Sequence, residues 1–127
     1  MSYTIEFREE EGILVCRMYG FMDEDMAARF GADLIVAQTA ARAKTGLLRS
    51  LLDNRKGHVA APAAATALAE QFRSTVRPGD RSAILVADSL NKMQAKRHVL
   101  TEHEIFVSET AAITWLTAYD AQADAVI

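Results

Sequence analysis

At 127 residues, with 50% hydrophobic and 24% charged side chains, the chain has the composition of one globular domain that can bury a core without disulfides or a structural metal. A formal net charge of -3 argues against a general nucleic-acid binder, which needs a basic footprint. No apolar run approaches the roughly 18 to 20 residues that span a bilayer, and the alternating start is no signal peptide, so a cytoplasmic setting without membrane insertion is expected.

Strict alternation opens the chain: Tyr3, Ile5 and Phe7 share one face of a strand, and Thr4, Glu6 and Arg8 the other. Glu9-Glu10-Glu11-Gly12 resists burial and permits a turn. Residues 13–19 are a second β-rich run ended by Gly20, so the two runs predict an antiparallel hairpin. Cys16 lies inside that run as a buried small hydrophobe with no second cysteine to pair with. Asp23-Glu24-Asp25 then starts a helix, because carboxylates satisfy and complement its free N–H groups. Met26, Phe30, Leu34, Ala37 and Ala41 give it one apolar stripe to about Lys44, while Arg29, Asp33, Gln38 and Arg42 take the other side.

Residues 47–52 are the third strand, with Arg49 mid-strand among leucines, snorkelling to an edge or pairing with a carboxylate. A polar loop of turn-forming residues follows, Asp53-Asn54-Arg55-Lys56-Gly57-His58. Pro62 suits the first turn of a second helix whose apolar face continues through Leu68, Phe72 and Val76. Seven alanines between Ala60 and Ala69 smooth its first half for close packing on a sheet. Arg77-Pro78-Gly79-Asp80 is a turn, and residues 83–87, apolar throughout, predict a buried strand. Asp88 or Ser89 caps a helix over residues 90–100, and Glu104-Ile105-Phe106-Val107 is the last strand. Ser108-Glu109 caps a final helix with Ala112, Trp115, Leu116 and Tyr119 inward, and residues 121–127 are expected to fray beyond a single domain over residues 1–120. The order β-β-α-β-α-β-α-β-α predicts an α/β domain with parallel strands, right-handed crossovers and an antiparallel first strand.

In parallel α/β sheets ligands sit beyond the carboxyl ends of the strands. Two such ends are readable: Asp53, Asn54, Arg55, Lys56, Gly57 and His58, and the pair Asp88 and Ser89. Arg55, Lys56 and the backbone near Gly57 suit an anion. Asp53, His58 and Asp88 are the acid–base candidates, although nothing in the sequence sets their spacing. No cofactor and no metal site is expected: His58 has no second histidine at ligand spacing, and His98 and His103 straddle an expected helix end. Lys92, Lys96, Arg97 and His98 make the third helix basic, Glu102 and Glu104 partly offset it, and a solvated charged face results.

The order of elements resembles the STAS-like (SpoIIAA-like) domains, the fold of anti-sigma factor antagonists and of sulfate-transporter cytoplasmic domains. It is most similar to small stand-alone bacterial STAS/SEC14-like proteins. The closing strand Ile105-Phe106-Val107, the helix bearing Ala112-Ile113-Thr114-Trp115-Leu116, and the third helix Ser89-Leu90-Asn91-Lys92-Met93-Gln94-Ala95 carry the resemblance. It implies a SpoIIAA-like mixed sheet and a non-enzymatic binding or regulatory domain acting through a protein partner or a small anionic ligand. The SEC14-like label implies instead a carrier of an apolar or lipid ligand, and a small enzyme using Asp53 or His58 is a further alternative. Homodimer formation is expected because small domains of this fold leave part of the sheet or a helix face uncovered. In anti-sigma factor antagonists the loop after the third strand carries an aspartate-serine-serine-glycine-like segment whose serine is phosphorylated by a partner kinase. Residues 53–58 hold no serine or threonine, so that switch does not carry over, and Asp53 alone echoes the segment.

Overall fold

The computed structural model describes residues 2–59, 62–95 and 103–126. Strands β1 (Ser2–Arg8) and β2 (Ile13–Met22) form the antiparallel hairpin, in register from Ser2 opposite Tyr19 to Arg8 opposite Ile13. Gly12 takes φ 70°, a left-handed conformation that suits glycine, and its N–H closes the turn on the Arg8 carbonyl at 2.8 Å. The chain continues through α1 (Glu24–Thr45), β3 (Arg49–Val59), α2 (Pro62–Thr75), β4 (Arg81–Leu85), α3 (Ser89–Ala95), β5 (His103–Phe106) and α4 (Glu109–Val126). The five strands lie in sequence order, and every pairing after the hairpin is parallel.

Alternation along β2 and β3 divides the interior into two cores. Leu14, Cys16 and Leu52 face one way and pack with Phe30, Leu34 and Ala41 of α1 and Ala64 and Leu68 of α2. Ile13, Val15 and Leu51 face the other way and pack with Ala112 and Leu116 of α4. Each fully buried large aliphatic or aromatic side chain contributes about 1.5–3 kcal/mol, so both faces are anchored by the same strands. At the start of α1 the Asp23 carboxylate accepts the Met26 N–H at 2.8 Å, which satisfies one of the free donors of the first turn.

At the opposite end of the sheet from the carboxyl ends, Asp80 is a buried hub. Its carboxylate accepts hydrogen bonds from the Arg42 guanidinium, from the Arg77 N–H at 2.9 Å and from the Leu48 N–H at 3.2 Å. Arg42 also donates to the Thr75 carbonyl at 2.7 Å, so one ion pair joins the end of α1, the end of α2 and the starts of β3 and β4.

Several expectations need correction. Residues 53–58 are not a loop: β3 runs to Val59, because β2 itself continues to Met22 and pairs Tyr19 through Met22 with Lys56 through Val59. The backbone hydrogen bonds of that ladder outweigh the turn propensity of the polar side chains. Arg49 opens β3 rather than lying mid-strand, opposite Arg81 of β4. Gln38 and Arg42, assigned to the outer side of α1, turn inward, Gln38 as a buried residue and Arg42 onto Asp80. The strand predicted over 83–87 is shifted to Arg81–Leu85. Helix α4 runs to Val126; its alanines and polar residues tolerate a helix, and no glycine or proline stops it. Of the third helix, Lys96, Arg97 and His98 lie outside the described residues, as does Glu102.

Candidate functional site

The carboxyl halves of β2 and β3 carry a register shift. Arg17 pairs with Asp53 and Tyr19 with Lys56, so three steps along β3 match two along β2. This bulge changes which side chains share a face. In a regular strand Lys56 would point away from Asp53; the extra residue returns it to the side on which α4 packs. Gly57 follows the bulge, back in register opposite Gly20 of β2. A Cβ built on it would stand 2.6 Å from Asn54 Oδ1 and 3.0 Å from Met18 Cβ, so a glycine is what lets Asn54 and Met18 close over the strand.

Four charged side chains converge there. Arg17 Nη1 donates to Asp53 Oδ2 at 2.6 Å and to Glu109 Oε1 at 2.7 Å. Arg55 grips Asp53 with two parallel bonds, Nε to Oδ1 at 3.0 Å and Nη2 to Oδ2 at 2.9 Å, and its backbone N–H reaches Oδ1 at 3.1 Å. Arg55 Nη2 also reaches Glu109 Oε1 at 3.2 Å. Both arginines therefore share one oxygen of Glu109, the first residue of α4. Arg17 Nε and Nη2 and Arg55 Nη1 take part in none of these bonds. A cleft of about 210 Å³ opens beside the cluster, lined by Arg17, Met18, Tyr19, Asp53, Arg55 and Lys56.

The electrostatics lock the charge states. Burial pushes the Asp53 carboxyl up, but the hydrogen bonds from the Arg55 side chain and backbone and from Arg17 overcome it and hold the group at about 2. The Arg17 hydrogen bond lowers Glu109 below the ordinary carboxylate value. In return, Glu109 and then Asp53 hold Arg17 protonated, and Asp53 does the same for Arg55. Near neutral pH neither carboxylate has a proton to give or readily takes one. Asp53, a candidate for acid–base work, is instead a fixed anion that orients two guanidinium groups.

Of the residues singled out in the sequence, Asp53, Arg55 and Lys56 come together at the cleft. Asn54 lies within the bulge and Gly57 just beyond it. The His58 backbone pairs with Phe21, while its side chain lies outside the described residues. Asp88 and Ser89 are exposed at the start of α3, where the Asp88 carbonyl accepts the Lys92 N–H at 3.0 Å, and neither lines the cleft. The sequence reading missed Arg17 and Glu109. Arg17 had a signal, as the one charged residue inside the run 13–19. Glu109 had none beyond its place in a helix cap.

A five-stranded mixed sheet with helices on both faces and an arginine–carboxylate cluster at its carboxyl end defines the class: an α/β domain with a charged strand-end cleft. No family model matches the chain, and no curated protein matches it. Among solved structures it is similar to an uncharacterised protein of the DUF3478 family with a SpoIIAA-like fold from Shewanella loihica PV-4, with a TM-score of 0.66, 18% identity, and 91% and 92% of the two chains covered. It is similar also to the anti-sigma factor antagonist SpoIIAA in its unphosphorylated form, with a TM-score of 0.63, 13% identity, and 91% and 97% covered. The chain has the SpoIIAA-like, STAS-like fold, as the order of its elements led us to expect.

Proposed function

We propose that this chain is a non-enzymatic binding module of regulatory type that takes an oxyanion, a carboxylate or a phosphate, in the cleft over Arg17, Arg55 and Lys56. One observation carries this reading: the bulge in β3 brings three cations to one face against two carboxylates, and each arginine keeps N–H donors outside the internal ion pairs. Arginine forks match the two acceptor oxygens of such a group better than a point charge does. The likeness in fold to an anti-sigma factor antagonist supports a regulatory role. Control by phosphorylation of a hydroxyl before α2 is not part of it: from Asp53 to Ala65 the chain has no serine or threonine, so moving the strand end to Val59 restores no acceptor. Among the described residues no helix is long and apolar enough to cross a membrane.

Calorimetric titration of the protein with inorganic phosphate and with succinate, in a buffer free of other oxyanions, tests the proposal. Saturable binding that Arg55→Ala with Lys56→Ala abolishes is the expected result. Binding unaffected by that double substitution would remove the cleft from the function.

A further inference from the structure

The two carboxylates on the arginine pair are not equivalent. Asp53 belongs to the same strand as Arg55, its side chain is 10% exposed, and both of its oxygens are engaged, one of them also by backbone. Glu109 comes from a different element, its side chain is 30% exposed, and it uses Oε1 alone, shared between Arg17 and Arg55. It therefore makes the same contact an incoming oxyanion would make, a single oxygen bridging two guanidinium groups at the edge of the cleft. Withdrawing it leaves Arg17 paired with Asp53 at 2.6 Å, so no buried charge is stranded.

Resting on the oxyanion reading above, we propose that Glu109 is the resident occupant of the site: a ligand carboxylate or phosphate binds by displacing it from Arg17 and Arg55. Glu109 then sets the affinity threshold of the cleft. It rejects weakly charged ligands that cannot compete with a tethered carboxylate, whose effective concentration is high because α4 is packed on the sheet. Displacement also frees the Glu109 side chain of α4 from Arg17 of β2 and Arg55 of β3, which passes the bound state to a second element.

Phosphate titrations of the wild type, Glu109→Gln, Glu109→Asp and Arg55→Ala test this. Glu109→Gln removes both the competitor and its charge, so it alone does not separate displacement from a simple gain in positive potential. Glu109→Asp does, because it keeps the charge and draws the carboxylate back by one methylene. Displacement predicts that both variants bind phosphate about fivefold more tightly, the order of one partly exposed ion pair, while Arg55→Ala loses binding. Binding that needs Arg55 but is unchanged in Glu109→Asp overturns the displacement and leaves the cleft reading intact. Absence of binding in the wild type and in Glu109→Gln overturns both.

Discussion

Arg17 of β2 and Asp53 of β3 face each other across a parallel ladder and join in an ion pair of 2.6 Å. The same face, two residues earlier, is Val15 beside Leu51, both buried in the core under α4. The change from apolar to ionic pair occurs where the sheet passes from beneath that helix to its first residue, Glu109. The cluster is both the rim of a core and the wall of a cleft.

Replacing Arg17 with methionine keeps the side-chain bulk but removes two charged hydrogen bonds. Asp53 and Glu109 retain Arg55, so neither anion is stranded. The expected loss is about 1–3 kcal/mol, read from urea denaturation midpoints at neutral pH.

Acid should weaken the same cluster, and the sign follows from the direction of the shifts. Asp53 is held at about 2 against an ordinary value of 3.8, so its contribution is complete above the ordinary value and is lost as pH falls through the folded one. Glu109 is lowered too and acts in the same direction. Stability should decline between about pH 4 and pH 2 by about 2 kcal/mol from Asp53, and denaturation curves of Asp53→Asn should show a shallower decline over that interval.

Gly57→Ala places a methyl group against Asn54 Oδ1 and Met18. Overpacking of this kind costs about 1–3 kcal/mol. Adding Asn54→Ala removes the nearer contact, so the double variant should recover part of the loss, and a double-mutant cycle on melting free energies measures the coupling.

Asp80 is a second polar hub, at the other end of the sheet from the cleft. Asp80→Ala leaves the Leu48 and Arg77 N–H groups without their acceptor and the half-buried Arg42 guanidinium without its counter-ion, on the Thr75 carbonyl alone. A loss of about 3–5 kcal/mol is expected, larger than that of Arg17→Met in the same denaturation assay.

Cys16 is fully buried between β2 neighbours and burial pushes its thiol up to about 12. Iodoacetamide should leave it unmodified in the native protein and alkylate it completely in denaturant, as mass spectrometry would show.

Periodicity was sufficient for the architecture. The alternation of Tyr3, Ile5 and Phe7, the stripe from Met26 to Ala41 and the run at 83–87 each report which face of a segment must leave water, and burial of apolar surface depends little on who the partner is. The polar residues were a different matter. Asp53-Asn54-Arg55-Lys56-Gly57-His58 has the composition of a loop and is a strand, because the length of β2 beside it supplies hydrogen-bond partners that local propensity does not encode. Arg17, Asp53 and Glu109 meet only because register, bulge and helix docking place three distant segments at one point. Charge pairing is decided at a few ångströms, whereas sequence patterns are averages over many residues. Chain order and core were therefore written locally; the sequence marked Asp53, Arg55 and Lys56, and the tertiary structure decided that they meet Arg17 and Glu109.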